Sequence, residues 1–200
     1  TGSSPPPSSA SCYKHRTFLT ERMMARNKPQ DGSWHLAASR LERDVAEFEL
    51  ALICLAESFY RIMRQSLAGE LHDHSISGQD NTILQTIHTR GTPKSISDLC
   101  RLLNRDDVPN VQYSVRKLQA AGLIEKSENS AKKSTTYRTT EQGASVVALF
   151  VNLRRELVIK SIAEQVDTPN ERLGSAAQLA GILAGIYDRA ARIMATRGPD

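Results

Sequence analysis

One stretch of the sequence, from Ser95 to Gly143, limits the possible fold more than any other. It contains two short helix patterns, then Gly122, then two β-prone runs separated by a polar tip. Glycine readily adopts the left-handed backbone conformation found just after helices, so Gly122 marks a helix end. This order of elements predicts a winged helix, in which a helix-turn-helix is followed by a β-hairpin.

The two helix patterns carry separate start signals. Ser97 can cap the first helix, and Asn104-Arg105 ends it. Asp106 or Asp107 can cap the second helix, and Pro109 suits its first turn, where a backbone N–H is not needed. The apolar stripe predicted for the first helix consists of Leu99, Leu102 and Leu103.

The second helix pattern separates an apolar face from a polar face. Val111, Val115 and Leu118 recur at helical spacing, which predicts that their face is buried. The opposite face has side chains that can bind base edges or phosphates: Asn110, Gln112, Tyr113, Arg116 and Lys117. This arrangement is typical of a recognition helix that enters the major groove of DNA.

Two β-prone runs, Leu123–Lys126 and Thr135–Thr139, predict the hairpin, or wing. The intervening residues 127–134 include no large apolar side chain, and Lys132 and Lys133 lie near the tip. Cations at such a tip can enter a minor groove or contact phosphates. The alternative is a solvated hairpin whose lysines only increase solubility.

From about Leu41 to Met194 the chain resembles the MarR-type family of winged-helix transcriptional regulators. The resemblance rests on the two helix patterns, on LQAAGLIEK at Leu118–Lys126 and on TTEQG at Thr139–Gly143. In the family the second motif is commonly L-T-x-x-G, and here Thr139 replaces the Leu. The wing also differs, since Ala131 and two lysines replace an Asp-Arg-Arg triplet, and the helix-turn-helix turn is one residue longer.

The resemblance implies a mainly α-helical fold with a small β-wing, in which a winged helix-turn-helix is combined with long N- and C-terminal dimerisation helices. We expect the dimerisation helices within residues 37–76 and 141–200, and the DNA-binding lobe at 77–140. Residues 1–36 begin with the Pro/Ser-rich TGSSPPPSSAS, which cannot bury enough apolar surface to fold alone. We expect a flexible, mildly basic extension, or residues that precede a native start near Met23 or Met24.

Apolar stripes support the long helices. The first stripe alternates intervals of four and three, which predicts one helix: Leu41, Val45, Phe48, Leu52, Leu55, Phe59 and Ile62. The second stripe lies near the C-terminus and consists of Leu173, Ala177, Ala180, Leu183, Tyr187, Ala190 and Met194. Asp167–Asn170 separates this last helix from one over residues 141–165. Either stripe can equally belong to the core of a single domain.

Charge is unevenly distributed along the chain. Residues 90–140 have ten Lys/Arg and five Asp/Glu, a net charge of +5, whereas residues 37–80 have four and eight, a net charge of −4. Basic charge therefore collects on the proposed DNA-binding lobe. We expect base specificity from Asn110, Gln112, Tyr113 and Arg116, and phosphate affinity from Lys117, Lys132 and Lys133.

Other classes of protein have less support. The sequence has no Gly-rich phosphate loop, G-x-S-x-G elbow or His-Glu-x-x-His helix, so we do not expect an enzyme. A winged helix used only for protein–protein contact is the stronger alternative. No apolar run reaches the roughly 20 residues of a membrane-spanning helix, and we expect a cytoplasmic protein.

The resemblance also implies a small aromatic or carboxylate effector between the dimerisation helices and the lobe. Candidate lining residues are Phe48, Phe59, Tyr60 and Arg64, each of which can equally be a packing or surface residue.

We expect no cofactor and no metal. His72-Asp73-His74 is the only candidate metal site, but it has no clustered further ligand and reads better as a polar loop. Cys54 and Cys100 lie beside apolar stripes and are predicted to be buried packing residues. An alternative role for Cys54 is redox sensing.

Overall fold

The computed structural model describes residues 38–67, 76–127 and 135–196. The helices in these ranges are α1 (Arg40–Gln65), α2 (Gly78–His88), α3 (Ile96–Leu102), α4 (Val108–Ala120), α5 (Glu141–Leu153), α6 (Lys160–Gln165) and α7 (Pro169–Thr196). The strands are β1 (Lys94–Ser95), β2 (Ile124–Lys126) and β3 (Thr136–Thr139). A 3₁₀ turn (Thr89–Gly91) follows α2, and a π-helical segment (Arg154–Ile159) joins α5 to α6. The mainly α-helical fold with a small β-wing is thus confirmed.

The winged lobe, which runs from α2 to the start of α5, has its own hydrophobic core. Ile83 and Leu84 of α2 and Leu99 of α3 are fully buried. The predicted apolar face of α4 is confirmed, because Val111, Val115 and Leu118 are buried in the same cluster. Full burial of a side chain of this size contributes roughly 1.5–3 kcal/mol relative to exposure.

The start of α3 differs from its sequence prediction. Ser95, not Ser97, caps the helix: the Ser95 hydroxyl accepts a hydrogen bond from the Asp98 amide at 3.2 Å, and the Asp98 carboxylate accepts one from the Ser95 amide at 3.1 Å. Ser95 is favoured because it has an acidic residue three positions later, which completes a reciprocal capping box.

The apolar stripe of α3 is also narrower than predicted. Leu99 is buried and Leu103 is half-buried, but Leu102 lies on the outer face and is exposed. Cys100 contributes to the core instead, as predicted for that cysteine. After α3, Asn104 adopts a left-handed conformation with φ of 51°, which turns the chain toward α4.

The sheet has the strand order β1-β3-β2, and both pairings are antiparallel. β2 and β3 are the two predicted runs of the wing, with Ile124 opposite Thr139 and Lys126 opposite Tyr137. Gly122 has φ of 72°, which confirms it as the left-handed residue after α4.

A tight junction, the α4–α5 junction, connects the end of α4 with the start of α5. The Thr140 hydroxyl accepts a hydrogen bond from the Gly143 amide at 3.1 Å and donates one to the Gly122 carbonyl at 2.7 Å. A Cβ at Gly143 would lie 2.0 Å from the Leu123 carbonyl oxygen, so only glycine permits this approach. The TTEQG motif therefore has a structural role.

The chain divides into two compact units, the first ending at Leu55 and the second beginning at Ala56. α1 spans this boundary as the predicted single helix. In the first unit, Leu41, Val45 and Leu52 of the predicted stripe are exposed. Cys54 is exposed as well, which contradicts its prediction as a buried packing residue, because residues 50–59 are all exposed and form no buried face.

Within the second unit, the end of α1 is joined to α2. A Cβ at Gly78 would lie 2.1 Å from the Tyr60 carbonyl oxygen, so the two helices are nearly in backbone contact. The fully buried Asn81 donates hydrogen bonds to the Met63 carbonyl at 2.7 Å and to the Ser66 hydroxyl at 3.3 Å. These contacts fix α2 against the last turn of α1.

The C-terminal helices follow the prediction with one change. The helix expected over 141–165 is interrupted by the π-helical segment, and α7 begins at Pro169 after Thr168, which has φ of 45°. α7 has no buried residue, and many of its large apolar side chains are exposed. Within the described ranges, no helix is both long enough and apolar enough to cross a membrane.

Candidate nucleic-acid interface

The recognition helix, α4, presents four of its five predicted site residues to solvent. Pro109 lies in its first turn as predicted, and Asp107 occupies the N-cap position, but the Asp107 side chain makes no capping hydrogen bond. Because Val111, Val115 and Leu118 hold the inner face, the polar side chains point outward. The exposed ones are Asn110, Gln112, Tyr113 and Arg116.

A hydrogen-bonded network, the α4-start network, precedes this outward face. The Arg105 guanidinium donates to both carboxylate oxygens of Asp107, from Nε at 2.7 Å and from Nη2 at 2.5 Å. Asp107 Oδ2 also accepts a hydrogen bond from Asn110 Nδ2 at 3.1 Å. Hydrogen bonds from Arg105 and then Asn110 lower the pKa of Asp107 to about 2. The carboxylate is therefore ionised at neutral pH and acts only as an acceptor.

Lys117, the fifth predicted residue, is placed differently. Its ammonium lies 2.5 Å from Asp80 Oδ2, and the Asp80 side chain is almost completely buried. Burial acts most strongly on the pKa of Asp80 and raises it, but hydrogen bonds from Lys117, Ser114 and Ser77 together bring it below its usual value. The positive charge of Lys117 is thus compensated inside the lobe, where it joins α2 to the recognition helix.

The wing is built as predicted up to its tip. Arg138 of β3 donates from Nε to Glu125 of β2 at 2.8 Å, directly across the strand pair. Such exposed pairs contribute little to stability, but they reduce the positive charge that the hairpin shows to a phosphate. Ala131, Lys132 and Lys133 lie outside the described residues.

The surface charge of the lobe is smaller than the sequence alone suggests. Lys94 is buried, and its ammonium donates to the carbonyls of Ile87, Thr89 and Thr92 at 3.2, 2.5 and 2.9 Å. Several other cations of residues 90–140 pair with carboxylates: Arg101, Arg105, Lys117 and Arg138. In the described part of that segment, Arg90, Arg116 and Lys126 have no carboxylate partner, and only Arg116 lies on the recognition helix.

A cleft of about 260 Å³ lies beside the lobe and includes one of the four predicted effector residues. It is lined by Tyr60, Gln79, Thr82, Leu103 and Arg105. The Phe59 ring lies 6.0 Å from the Tyr60 ring but does not line the cleft. Arg64 is exposed, and Phe48 belongs to the first unit. Arg105 also lines the cleft, although its sequence position predicts only a role at the end of α3.

The metal candidate, His72-Asp73-His74, lies outside the described residues. In the ranges that the structure covers, no group of three or more His, Cys, Asp or Glu side chains could hold a metal ion.

Comparisons with known proteins agree with this architecture. Residues 76–143 match a family model described as a winged helix DNA-binding domain. The chain is similar in structure to the transcriptional regulator BldR from Sulfolobus solfataricus, with 17% identity, coverage of 72% of this chain and 98% of BldR, and a TM-score of 0.56. It is also similar to MepR of S. aureus in a DNA complex, with 17% identity, coverage of 70% and 97%, and a TM-score of 0.54.

The regulator SlyA is a third similar structure, with 14% identity, coverage of 76% of this chain and 99% of SlyA, and a TM-score of 0.52. No curated protein sequence matches the chain significantly. At these identities the structural likeness shows the fold alone, which the chain shares with these three structures. The chain therefore carries a winged helix DNA-binding domain, at residues 76–143, within the fold of the MarR-type transcriptional regulators that its sequence resembles.

Proposed function

We propose that the protein is a transcriptional regulator that binds a palindromic operator as a homodimer and represses by occupying it. The observation that carries this proposal is the division of α4 into two faces. Its inner face is buried in the core, whereas Asn110, Gln112, Tyr113 and Arg116 are exposed and are not needed for that core. Amide, hydroxyl and guanidinium groups on one helix face are the groups that read base edges in the major groove.

The homodimer is supported by the exposed apolar surface of α7. Monomeric soluble proteins rarely expose large contiguous apolar patches, and such patches mark interfaces. A two-fold axis between two copies would place the recognition helices about 34 Å apart, one turn of the duplex. This geometry predicts an operator with two inverted half-sites.

Arg116 and the wing lysines have different proposed roles. Arg116 is the exposed cation of α4 and would contact a base edge, whereas Lys132 and Lys133 would contact phosphates. Lys117 would contribute less to phosphate binding than the wing lysines, because Asp80 already compensates its charge.

A small anionic effector is a second proposal, supported by the cleft beside the lobe. Tyr60 supplies an aromatic ring, and Arg105 supplies Nη1, which makes no hydrogen bond to Asp107, as a donor to the carboxylate of an aromatic acid. Thr82 and Gln79 add hydrogen-bonding groups. An effector here would contact the residue that pairs with Asp107 at the start of the recognition helix.

The test is selection of bound sequences from a random duplex library with the purified protein at moderate salt. We expect an enriched motif with two-fold symmetry, and weaker binding when Lys132 and Lys133 are both changed to Ala. The alternative function, a winged helix that contacts only proteins, predicts no enriched motif. Binding of equal strength to every sequence would also contradict the proposal.

A further inference from the structure

The α4-start network includes Asn110, one of the residues proposed to read DNA bases. The inference drawn from it rests on the proposed function. We propose that Asp107, held by Arg105, is a positioning residue that fixes the side-chain amide of Asn110 in the orientation required to read adenine. Asn110 itself would contact the base. Asp107 and Arg105 would act through Asn110.

Asp107 is itself held in place by Arg105. The planar fork of Arg105 donates to both of its carboxylate oxygens, which restricts rotation of the carboxylate more than a single hydrogen bond would. The Arg105 side chain is only 23% exposed, so it is a partly buried support, not a freely moving surface side chain.

Asp107 in turn determines which way the Asn110 side-chain amide points. An ionised carboxylate has no hydrogen to donate, so only the nitrogen end of the amide can face it favourably. The contact between Asn110 Nδ2 and Asp107 Oδ2, at 3.1 Å, has this orientation. It uses one amide hydrogen and leaves the second hydrogen and the carbonyl oxygen available.

The remaining N–H and the carbonyl oxygen of the Asn110 amide match the hydrogen-bonding groups of adenine. In the major groove, adenine presents an acceptor at N7 and a donor at N6, and an Asn amide binds both with its remaining N–H and its oxygen. An amide that can flip would present the reversed pattern for part of the time. Fixing the amide therefore favours adenine over the other bases before DNA is bound.

The carboxylate of Asp107 is not needed for capping α4. Although Asp107 occupies the N-cap position, its side chain makes no capping hydrogen bond. The first backbone bonds of α4 go to its carbonyl oxygen, from the amides of Asn110 at 3.0 Å and Val111 at 3.2 Å. A change in the carboxylate alone should therefore leave the helix start intact.

The experiment compares base discrimination by the full-length protein and its variants on duplexes derived from the selected motif. Asn110→Ala first identifies the base pair that Asn110 reads. We then expect Asp107→Asn to reduce the preference for adenine at that base pair by about tenfold, as for loss of one good bidentate contact, with little change at other positions. Arg105→Lys should have a smaller effect at the same base pair, since Lys cannot form the two-bond fork.

A double-mutant cycle distinguishes positioning from a general structural effect. In the Asn110→Ala background, Asp107→Asn should change nothing further at that base pair, because the side chain it positions is absent. The matched control is Asp106→Asn, an exposed neighbour that should leave discrimination unchanged. Thermal unfolding of each variant checks that the fold is kept.

The outcomes are separable. Unchanged adenine preference in Asp107→Asn, an equal effect with and without Asn110, or a motif that Asn110→Ala leaves unaltered would each overturn this inference while leaving the proposed function standing. A library that yields no motif for the unchanged protein would overturn both.

Discussion

The winged lobe and α7 bury their apolar side chains to very different extents. In the lobe, Ile83, Leu99 and Leu118 are inaccessible to solvent, and α2, α3, α4 and the sheet share one core. α7 is 28 residues long and buries none of them, and Ile182 is 63% exposed.

This contrast shows which part of the chain is complete by itself. The lobe buries a hydrophobic core of its own, so this part of the chain can be stable within a single copy. The large exposed apolar side chains of α7 lie on two adjoining stripes. Leu173, Tyr187 and Met194 belong to the predicted stripe, and the stripe beside it consists of Leu179, Ile182, Ile186 and Ile193. Wide exposed apolar faces mark interfaces in other proteins, which agrees with the proposed homodimer.

The largest effect should come from opening the core of the lobe. Leu118→Ala should lower the free energy of unfolding by about 2–5 kcal/mol, because it removes buried methyl groups and leaves a cavity. Denaturant unfolding measures the change. Leu102→Ala is the matched control, since Leu102 is 56% exposed and should change stability by less than about 0.5 kcal/mol. Equal effects of the two substitutions would contradict the burial pattern described for α3 and α4.

A charge on α7 should act on association instead. Ile182→Glu should raise the dissociation constant of the homodimer by about a hundredfold, because an unpaired carboxylate is costly to bury at an interface. Sedimentation velocity over a range of concentrations measures it. Arg192→Glu, on the polar face of the same helix, should have a much smaller effect. Unaltered association of the Ile182 variant would remove the main support for a dimer through this face.

A substitution on the exposed face of α4 should affect DNA binding but not folding. Arg116→Ala should cost about 1–3 kcal/mol of discrimination at one base pair if its guanidinium reads a guanine edge, with no change in unfolding. Titration of matched and mismatched duplexes measures this cost. A uniform loss across sequences would instead assign Arg116 to the phosphates.

The smallest effect concerns the polar contact inside the lobe. Because the folded pKa of Asp80 lies below its usual value of 3.8, its contribution to stability is present above about pH 4 and is lost as the pH falls through the folded pKa. Asp80→Asn should therefore lower stability by roughly 1–2 kcal/mol at pH 7, and the difference should shrink below pH 4.

Urea unfolding at pH 7, 5 and 3 tests this dependence. Glu156→Gln, in an exposed ion pair with Lys160, is the control and should change little at any pH. A difference between Asp80→Asn and the unchanged protein that stays constant down to pH 3 would show that the carboxylate charge is not what stabilises this contact.

Features set by neighbouring residues could be predicted from the sequence. The two faces of α4, the left-handed Gly122 and the hairpin strands all depend on short-range patterns of side-chain polarity and backbone preference. The cap of α3 was assigned to the wrong serine, although the decisive signal, Asp98 three residues after Ser95, was present in the sequence.

Features that join distant parts of the chain could not be predicted in this way. Lys117 and Asp80 are 37 positions apart, and no local pattern brings their side chains together. The position of Arg105 in the cleft could not be predicted either, because it depends on how α1 and α2 pack beside α3. The exposure of Cys54 could not be predicted either, because the apolar spacing around it suggested a buried face, whereas residues 50–59 are all exposed.

The α4–α5 junction couples the position of the recognition helix to that of α5. α4 has 13 residues, and at 1.5 Å per residue such a helix is about 20 Å long. Gly143 lies against Leu123 with no room for a Cβ, and Thr140 donates a hydrogen bond to the Gly122 carbonyl, so the start of α5 is coupled to the chain just after α4. A rotation of about 10° at the junction would displace the first turn of α4 by about 3 Å, close to the 3.4 Å between successive base pairs. In the proposed complex with DNA, a small movement of α5 would thus displace Asn110 by about the distance between successive base pairs.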